Sequence, residues 1–286
     1  MSEEPAASPV GPSGAARVVT ITSGKGGVGK TTVAANLGIA LAMRGQQVVV
    51  IDADVGLRNL DVMLGLENRI VYDLVDVIEE RCRLRQALVR HKQLSKLFLL
   101  PAAQTRDKSA VASEDMVRIC DILREEQDFI LIDSPAGIER GFRYAVAPAD
   151  EILIVTNPEV PAARDADRVI GLLEAEERGP ARLIINRIKA DMVARGQMLS
   201  IADVVELLAI DLIGVIPEEQ GMLIAANRGE PLALSYNGHG QLSHARAGQA
   251  FHNVARRMLG EDVPFQPLEE PGMLRRFLRF VSPERS

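Results

Sequence analysis

Short apolar, mostly β-branched runs recur along the chain at residues 18–21, 48–51, 98–100, 129–132, 152–155, 183–185 and 212–215. None alternates apolar with polar positions, so each predicts a strand buried on both faces, as in a mainly parallel sheet. Intervals of roughly 20 to 50 residues leave room for the crossover helix that a parallel neighbour requires. Val33, Leu37, Ala40 and Leu41 follow the first run at helical spacing, and residues 163–168 begin another helical pattern. The expected fold class is α/β: a doubly wound, mainly parallel β-sheet covered by helices on both faces.

Both ends depart from this pattern. Residues 1–16, MSEEPAASPVGPSGAA, are small, Pro/Gly/Ser-rich and have nothing to bury, so a disordered leader is expected before a folded domain over 17–262. Pro264, Pro267 and Pro271 mark 263–272 as a tether. In 273–281, at about 100° per residue, Met273, Leu274, Phe277, Leu278, Phe280 and Val281 share one arc of roughly 160°. Arg275, Arg276 and Arg279 fall opposite. A short basic amphipathic helix of this kind suits the headgroup region of an anionic bilayer; the competing reading is a terminal helix docked on its own core. Residues 282–286 form a tail with no reading.

Composition removes several classes. With 286 residues, 47% hydrophobic and 25% charged, the chain has the make-up of a globular protein with one large core. A net charge of −6 argues against a broad nucleic-acid surface. Cys82 and Cys120 stand outside any metal-ligand spacing, which fits two structural thiols in a reducing compartment. No run approaches the roughly 18 apolar residues of a membrane span, and the acidic, proline-rich start is unlike a signal peptide. The expected location is the cytoplasm, with any membrane contact peripheral.

The chemistry concentrates in residues 23–32, SGKGGVGKTT, between the first strand and the first helix. Gly24, Gly26, Gly27 and Gly29 let the backbone approach an anion and aim N–H groups at it, while the helix presents its positive end. Residues 24–31 fit G-x-x-x-x-G-K-[ST], with Val28 inside the loop and Thr32 just after it. In that pattern Lys30 reaches the β- and γ-phosphates and the Thr31 hydroxyl completes a magnesium shell. The second run ends in Asp52-Ala53-Asp54 and continues to Asn59, and the fourth ends in Asp133-Ser134-Pro135-Ala136-Gly137. In an open parallel sheet both ends lie at the ligand edge. Carboxylates there hold the metal or orient the water that attacks the γ-phosphate, although aspartate after a strand also serves ordinary turns.

Lys25, directly after the first glycine, makes the loop resemble the deviant Walker A signature of the MinD/ParA family of P-loop ATPases. The segments IDADVGLRNLD, YDLVDVIE, LPAAQTRDK, DSPAGIE, TNPEVPAARDADRVIGLL, GVIPEEQ and MLGE are similar to that family's MinD branch. The resemblance implies an ATPase using ATP and Mg2+, with Lys25 crossing a homodimer interface to the partner's nucleotide. It implies that Asp54 engages the attacking water, that Asp52 and Asp133 serve the magnesium, and that Asn59, Pro135 and Gly137 lie in two switch segments. Asn186 matches the position that reads adenine, with Arg187 beside it and Pro217 and Glu218 across the base; a strand-ending Asn equally fits a cap. Asp165 and Asp167 match a partner surface where the activator MinE and the inhibitor MinC compete, and acidic residues opening a helix also suit its dipole. Two other functions share the P-loop: a ParA-like ATPase that positions DNA or another cargo, and a module that ATP staples into a dimer without hydrolysis. An iron–sulfur relative is set aside because DSPAGIE carries no cysteine.

Overall fold

The computed structural model describes residues 16–104, 110–234 and 245–268. All the predicted apolar runs are strands: β1 (Arg17–Thr22), β2 (Val48–Asp52), β4 (Leu97–Leu100), β5 (Phe129–Asp133), β6 (Glu151–Thr156), β7 (Ala181–Ile188) and β8 (Asp211–Pro217). The two-residue β3 (Val89–Arg90) was not foreseen. It is too short to leave a period, and it pairs antiparallel with β4, capping that edge of the sheet. The order is β3-β4-β2-β5-β1-β6-β7-β8, and every other pairing is parallel. The carboxyl ends of β1, β2, β5, β6, β7 and β8 therefore line one edge. The chain leaves β1 toward β2 and later returns through β5 to reach β6 on the other side, so the crevice at that reversal opens at the end of β1.

The helices are α1 (Lys30–Met43), α2 (Leu60–Met63), α3 (Leu74–Ile78), α4 (Leu84–Ala87), α5 (Ser113–Leu123), α6 (Arg140–Val146), α7 (Val160–Ala175), α8 (Ala190–Ala194), α9 (Ile201–Leu208), α10 (Gln220–Arg228) and α11 (Arg246–Met258). One core unites α1 and α11 with one face of the sheet, and two more lie on the opposite face, one under α3 to α6 and one under α7 and α9. α1 is apolar almost all round, and Val33 to Ala42 are all buried. It is a central helix, wedged between the sheet and α11, which explains why its sequence lacks a polar face.

The termini of the described chain are better packed than their composition suggests. Ala16, at the end of the expected leader, is buried, and Arg124 Nη1 donates to its carbonyl. The stretch from 263, expected as a tether, begins as a strap along α11. Val263 is buried. Arg257 donates to the carbonyls of Val263 at 2.9 Å and Pro264 at 3.0 Å, and its guanidinium stacks on Phe265. Arg246, at the other end of α11, donates to Leu268 O at 2.7 Å and also holds Pro267 O. Because Arg246 N–H is bonded to Glu219 just beyond β8, the strap carries the chain back to the carboxyl edge of the sheet. Proline signals only that a segment is neither helix nor interior strand; here it marks backbone whose carbonyls are free for arginine. The amphipathic positions 273–281 and the leader 1–15 lie outside the described residues. No helix among the described residues is long and apolar enough to cross a membrane.

Candidate nucleotide site at the carboxyl edge

The loop 24–29 turns out of β1 and into α1. Gly29 sits at φ 99°, and a Cβ there would stand 2.3 Å from Asn186 Nδ2. The left-handed backbone would strain any other residue, and a side chain there would have to displace the Asn186 amide. Lys30 opens α1 with only 8% of its surface exposed, whereas Lys25, Gly26 and Gly27 are exposed at the tip. Ser23 Oγ donates to Lys25 O at 2.8 Å, which braces the backbone beneath that lysine. Lys30 thus lies inside the site and Lys25 faces outward.

Beside the loop, Asp52 and Asp133 are register partners on β2 and β5, and both are buried. Burial pushes both carboxyl groups well above the usual range, and each one's neighbouring carboxylates add to it. For Asp133 the opposing influences are the Lys30 charge and a hydrogen bond from the Thr31 hydroxyl. Its other burden is an oxygen: Asp133 Oδ1 is buried without a protein hydrogen-bond partner. Thr22 Oγ1, at the last residue of β1, and Asn157 Oδ1, just past the neighbouring β6, are buried without hydrogen-bond partners too. Unsatisfied buried oxygens at the mouth of a glycine loop, beside a buried ammonium, are a donor set waiting for a cation and a polyphosphate. The residues fit a magnesium nucleotide.

The Asp52 carboxylate also anchors backbone. Its Oδ1 accepts from Asp54 N–H at 3.0 Å and its Oδ2 from Leu60 N–H at 3.2 Å, so it anchors the loop between β2 and α2. That loop is also held by the Arg58–Asp61 ion pair at 2.7 Å, in which Asp61 is buried. Asp54 is half-buried at the loop's start, and Asn59 is exposed at the N-terminus of α2, where its side chain makes no cap. The segment after β5 is tied to the P-loop stem: Ser134 N–H donates to Ile21 O and Gly137 N–H to Ser23 O, each at 3.1 Å. Pro135 is buried against Gly141 of α6.

The expected adenine group is divided. Asn186 is buried and donates from Nδ2 to Val28 O at 2.8 Å, so its amide braces the phosphate loop from below. That contact is not a helix cap, and it uses one of the two amide N–H groups, leaving the other N–H and Oδ1 outside it. Arg187, at φ 58°, and Glu218 are exposed and form a 3.8 Å ion pair beside Pro217, across the ends of β7 and β8.

Asp165 and Asp167 need one correction. α7 begins at Val160 and has no acidic residue in its first turn, so the dipole argument does not apply to them. Asp167 is exposed, and Asp165 is half-buried with Arg168 at 3.9 Å. The backbone of Asp165 touches the P-loop: a Cβ on Gly24 would stand 2.0 Å from its carbonyl oxygen. Sequence periodicity carries no information on such a contact between segments about 140 residues apart. Tyr144, bonded to Ala53 from across the core, was missed for the same reason.

The chain matches the family model described as the CobQ/CobB/MinD/ParA nucleotide binding domain over residues 19–232. It is 54% identical to the septum site-determining protein MinD of Synechocystis over 249 residues, 87% of this chain and 91% of that protein. It superposes on MinD in the MinC:MinD cell division protein complex of Aquifex aeolicus with a TM-score of 0.79 at 49% identity, covering 88% of this chain and 99% of that one. For the septum site-determining protein MinD of Pyrococcus horikoshii complexed with Mg-ADP, the TM-score is 0.74 at 28% identity, over 85% and 96% of the two chains. A P-loop with an exposed second lysine, the buried aspartate pair beside it and these likenesses place the chain by one route: it belongs to the MinD/ParA family of P-loop ATPases, on the septum-site-determining MinD branch.

Proposed function

We propose that this chain is an ATP-driven switch for placing the division septum: it dimerises on Mg-ATP, attaches to the inner face of the cytoplasmic membrane through 273–281, and recruits MinC. MinE or an equivalent stimulates hydrolysis and returns it to the cytoplasm. The observation that carries the reading is the division of labour between two lysines, Lys30 buried against Asp133 and Lys25 exposed at the loop tip. An outward lysine is available to a second subunit's nucleotide. The MinC:MinD complex supports MinC as partner, and Asp165 and Asp167 on α7 are the proposed contact.

Bound magnesium supplies charge that offsets the phosphate oxygens. Asp133, Thr31 and Asp52 would hold that ion, directly or through water. Lys30 neutralises developing phosphate charge, the loop amides orient the phosphates, and Asp54 accepts a hydrogen bond from the attacking water. Asp52 keeps the Asp54 loop closed on the site. Asn186, which also braces the loop, reads the adenine base with the rest of its amide, and Arg187, Pro217 and Glu218 flank that base.

Nine residues of amphipathic helix hold little apolar area, so one copy binds lipid weakly; in a dimer the second binds at raised effective concentration, worth about 10² in avidity. Co-sedimentation with anionic liposomes tests this. Full-length protein pellets in ATP and remains in solution in ADP, and chains truncated before Met273 or carrying Phe277→Glu remain in solution in both. Equal pelleting of Phe277→Glu and native protein would sink the membrane part, and salt-dependent DNA binding in ATP would favour a ParA-like role instead.

A further inference from the structure

We propose that Tyr144 is a positioning residue for hydrolysis, its phenol fixing the one peptide unit that joins Asp52-Ala53 to Asp54 and so setting where the Asp54 carboxylate is held. The proposal rests on the reading of Asp54 as the group that engages water.

Tyr144 lies on α6, which follows the segment after β5, yet its hydroxyl donates to Ala53 O at 2.5 Å, in the loop after β2. The ring is 1% exposed, so the pairing takes place without competing water. α6 is itself fixed to the sheet, because Thr20 Oγ1 on β1 donates to Ala145 O at 2.7 Å. The phenol is therefore a post on rigid structure.

What it grips matters. The Ala53 carbonyl and the Asp54 N–H belong to the same planar peptide and point in opposite directions. The carbonyl is held by Tyr144, and the N–H by Asp52 Oδ1 at 3.0 Å. Ala53 N–H, in the preceding peptide, donates to Asp133 O at 3.0 Å. Three bonds thus lock the backbone between two carboxylates that differ in role, and the Asp54 side chain projects from the next atom. Without the phenol, rotation of that peptide is opposed only at its N–H end. Burial, reinforced by the Asp54 and Asp52 charges, pushes the Tyr144 hydroxyl pKa up, so it remains a donor at any working pH. Because α6 follows the segment containing Pro135 and Gly137, this bond also ties the two expected switch segments together.

Tyr144→Phe retains the ring and deletes the bond. Single-turnover hydrolysis of Mg-ATP is expected to slow about 5- to 50-fold while the Kd for a fluorescent ATP analogue stays within twofold, because the bond deleted is to Ala53 in the loop after β2 and not to the phosphate loop. Asp54→Asn alone is expected to reduce turnover to a small but measurable residual rate; against that rate, adding Tyr144→Phe costs less than a further twofold, since both act through one carboxylate. A merely structural tyrosine would lower melting temperature and nucleotide affinity together and would act equally in both backgrounds. Thr20→Val, which deletes the bond fixing α6 to β1 and keeps the phenol, serves if Tyr144→Phe does not fold and should slow turnover in the same direction. Near-native turnover in folded Tyr144→Phe, or in Thr20→Val standing in for it, beside a slowed Asp54→Asn, overturns the proposal alone. Near-native turnover in Asp54→Asn overturns instead the reading of Asp54 on which it rests.

Discussion

Asp133→Asn is expected to cut ATP turnover by about 10² or more, because a site metal contributes several kcal/mol of charge stabilisation and Asp133 has the spare buried oxygen to hold it. Asparagine retains the shape and an acceptor for the Thr31 hydroxyl, so the fold should survive. Dependence of the residual rate on magnesium should flatten. The same substitution carries a second, independent readout in the nucleotide-free protein. Burial raises the folded pKa of Asp133 above its unfolded value near 4, so folding favours the protonated form. Such a group contributes stability that is fully present below the unfolded pKa and is lost as pH rises through the folded pKa. Native protein should therefore lose thermal stability between about pH 5 and 8, and Asp133→Asn should lose less, the remaining slope belonging partly to Asp52. The comparison is of slopes, because Lys30 loses an opposing charge and the absolute melting temperature can fall. Phosphate release against magnesium and melting at several pH values measure both effects. Equal pH slopes in the two proteins would contradict a raised Asp133 pKa, and native turnover would remove Asp133 from the site.

How much of this was legible depends on the range of the signal. The strands were readable because each is buried on both faces, so 129–132 and 152–155 are apolar without interruption, and the structure extends them by only a residue or two. The P-loop was readable because phosphate chemistry dictates glycine and lysine at fixed local spacing. The pairing of Asp52 with Asp133 followed only after a parallel sheet was assumed, since both are strand ends on one edge. What stayed hidden was tertiary. Asn186 is a strand-end asparagine in any sequence, and only the fold shows its Nδ2 bonded to Val28 O. Pro264 and Pro267 read as slack, because a sequence does not announce that Arg257 and Arg246 hold the carbonyls around them. α7 begins earlier than expected because Pro161 sits in its first turn, where proline lacks only a donor the helix would leave unpaired, while the apolar spacing becomes visible later.

Gly24→Ala should produce the other large effect, and for a reason no motif states. In the phosphate-loop pattern the first glycine is explained by its approach to an anion, but here a Cβ would stand 2.0 Å from Asp165 O, 2.2 Å from its carbonyl carbon and 2.8 Å from its Cβ. The first two are backbone atoms in a helix and the Cβ is fixed directly to that backbone, so no flexible side chain can swing aside. Either the loop or α7 must move by about 1 Å, since cores pack too densely to absorb the overlap. α7 is anchored by Ala166, Val169, Ile170 and Leu173 in the core, while the loop is exposed at Gly26 and Gly27. The loop should give way. Overpacking of this kind costs about 1–3 kcal/mol, which corresponds to a loss of about 5- to 150-fold in nucleotide affinity if it falls on the bound geometry. Titration with Mg-ADP measures it. Gly171→Ala, on the same helix with nothing within 4 Å of its added carbon, is the control and should leave affinity unchanged while slightly stabilising α7. If Gly24→Ala binds nucleotide normally but loses MinC, α7 has yielded instead, and the contact is then the mechanical link between the phosphate loop and the partner surface proposed at Asp165 and Asp167. Native behaviour in both assays would mean that the loop and α7 stand further apart in solution than this packing requires.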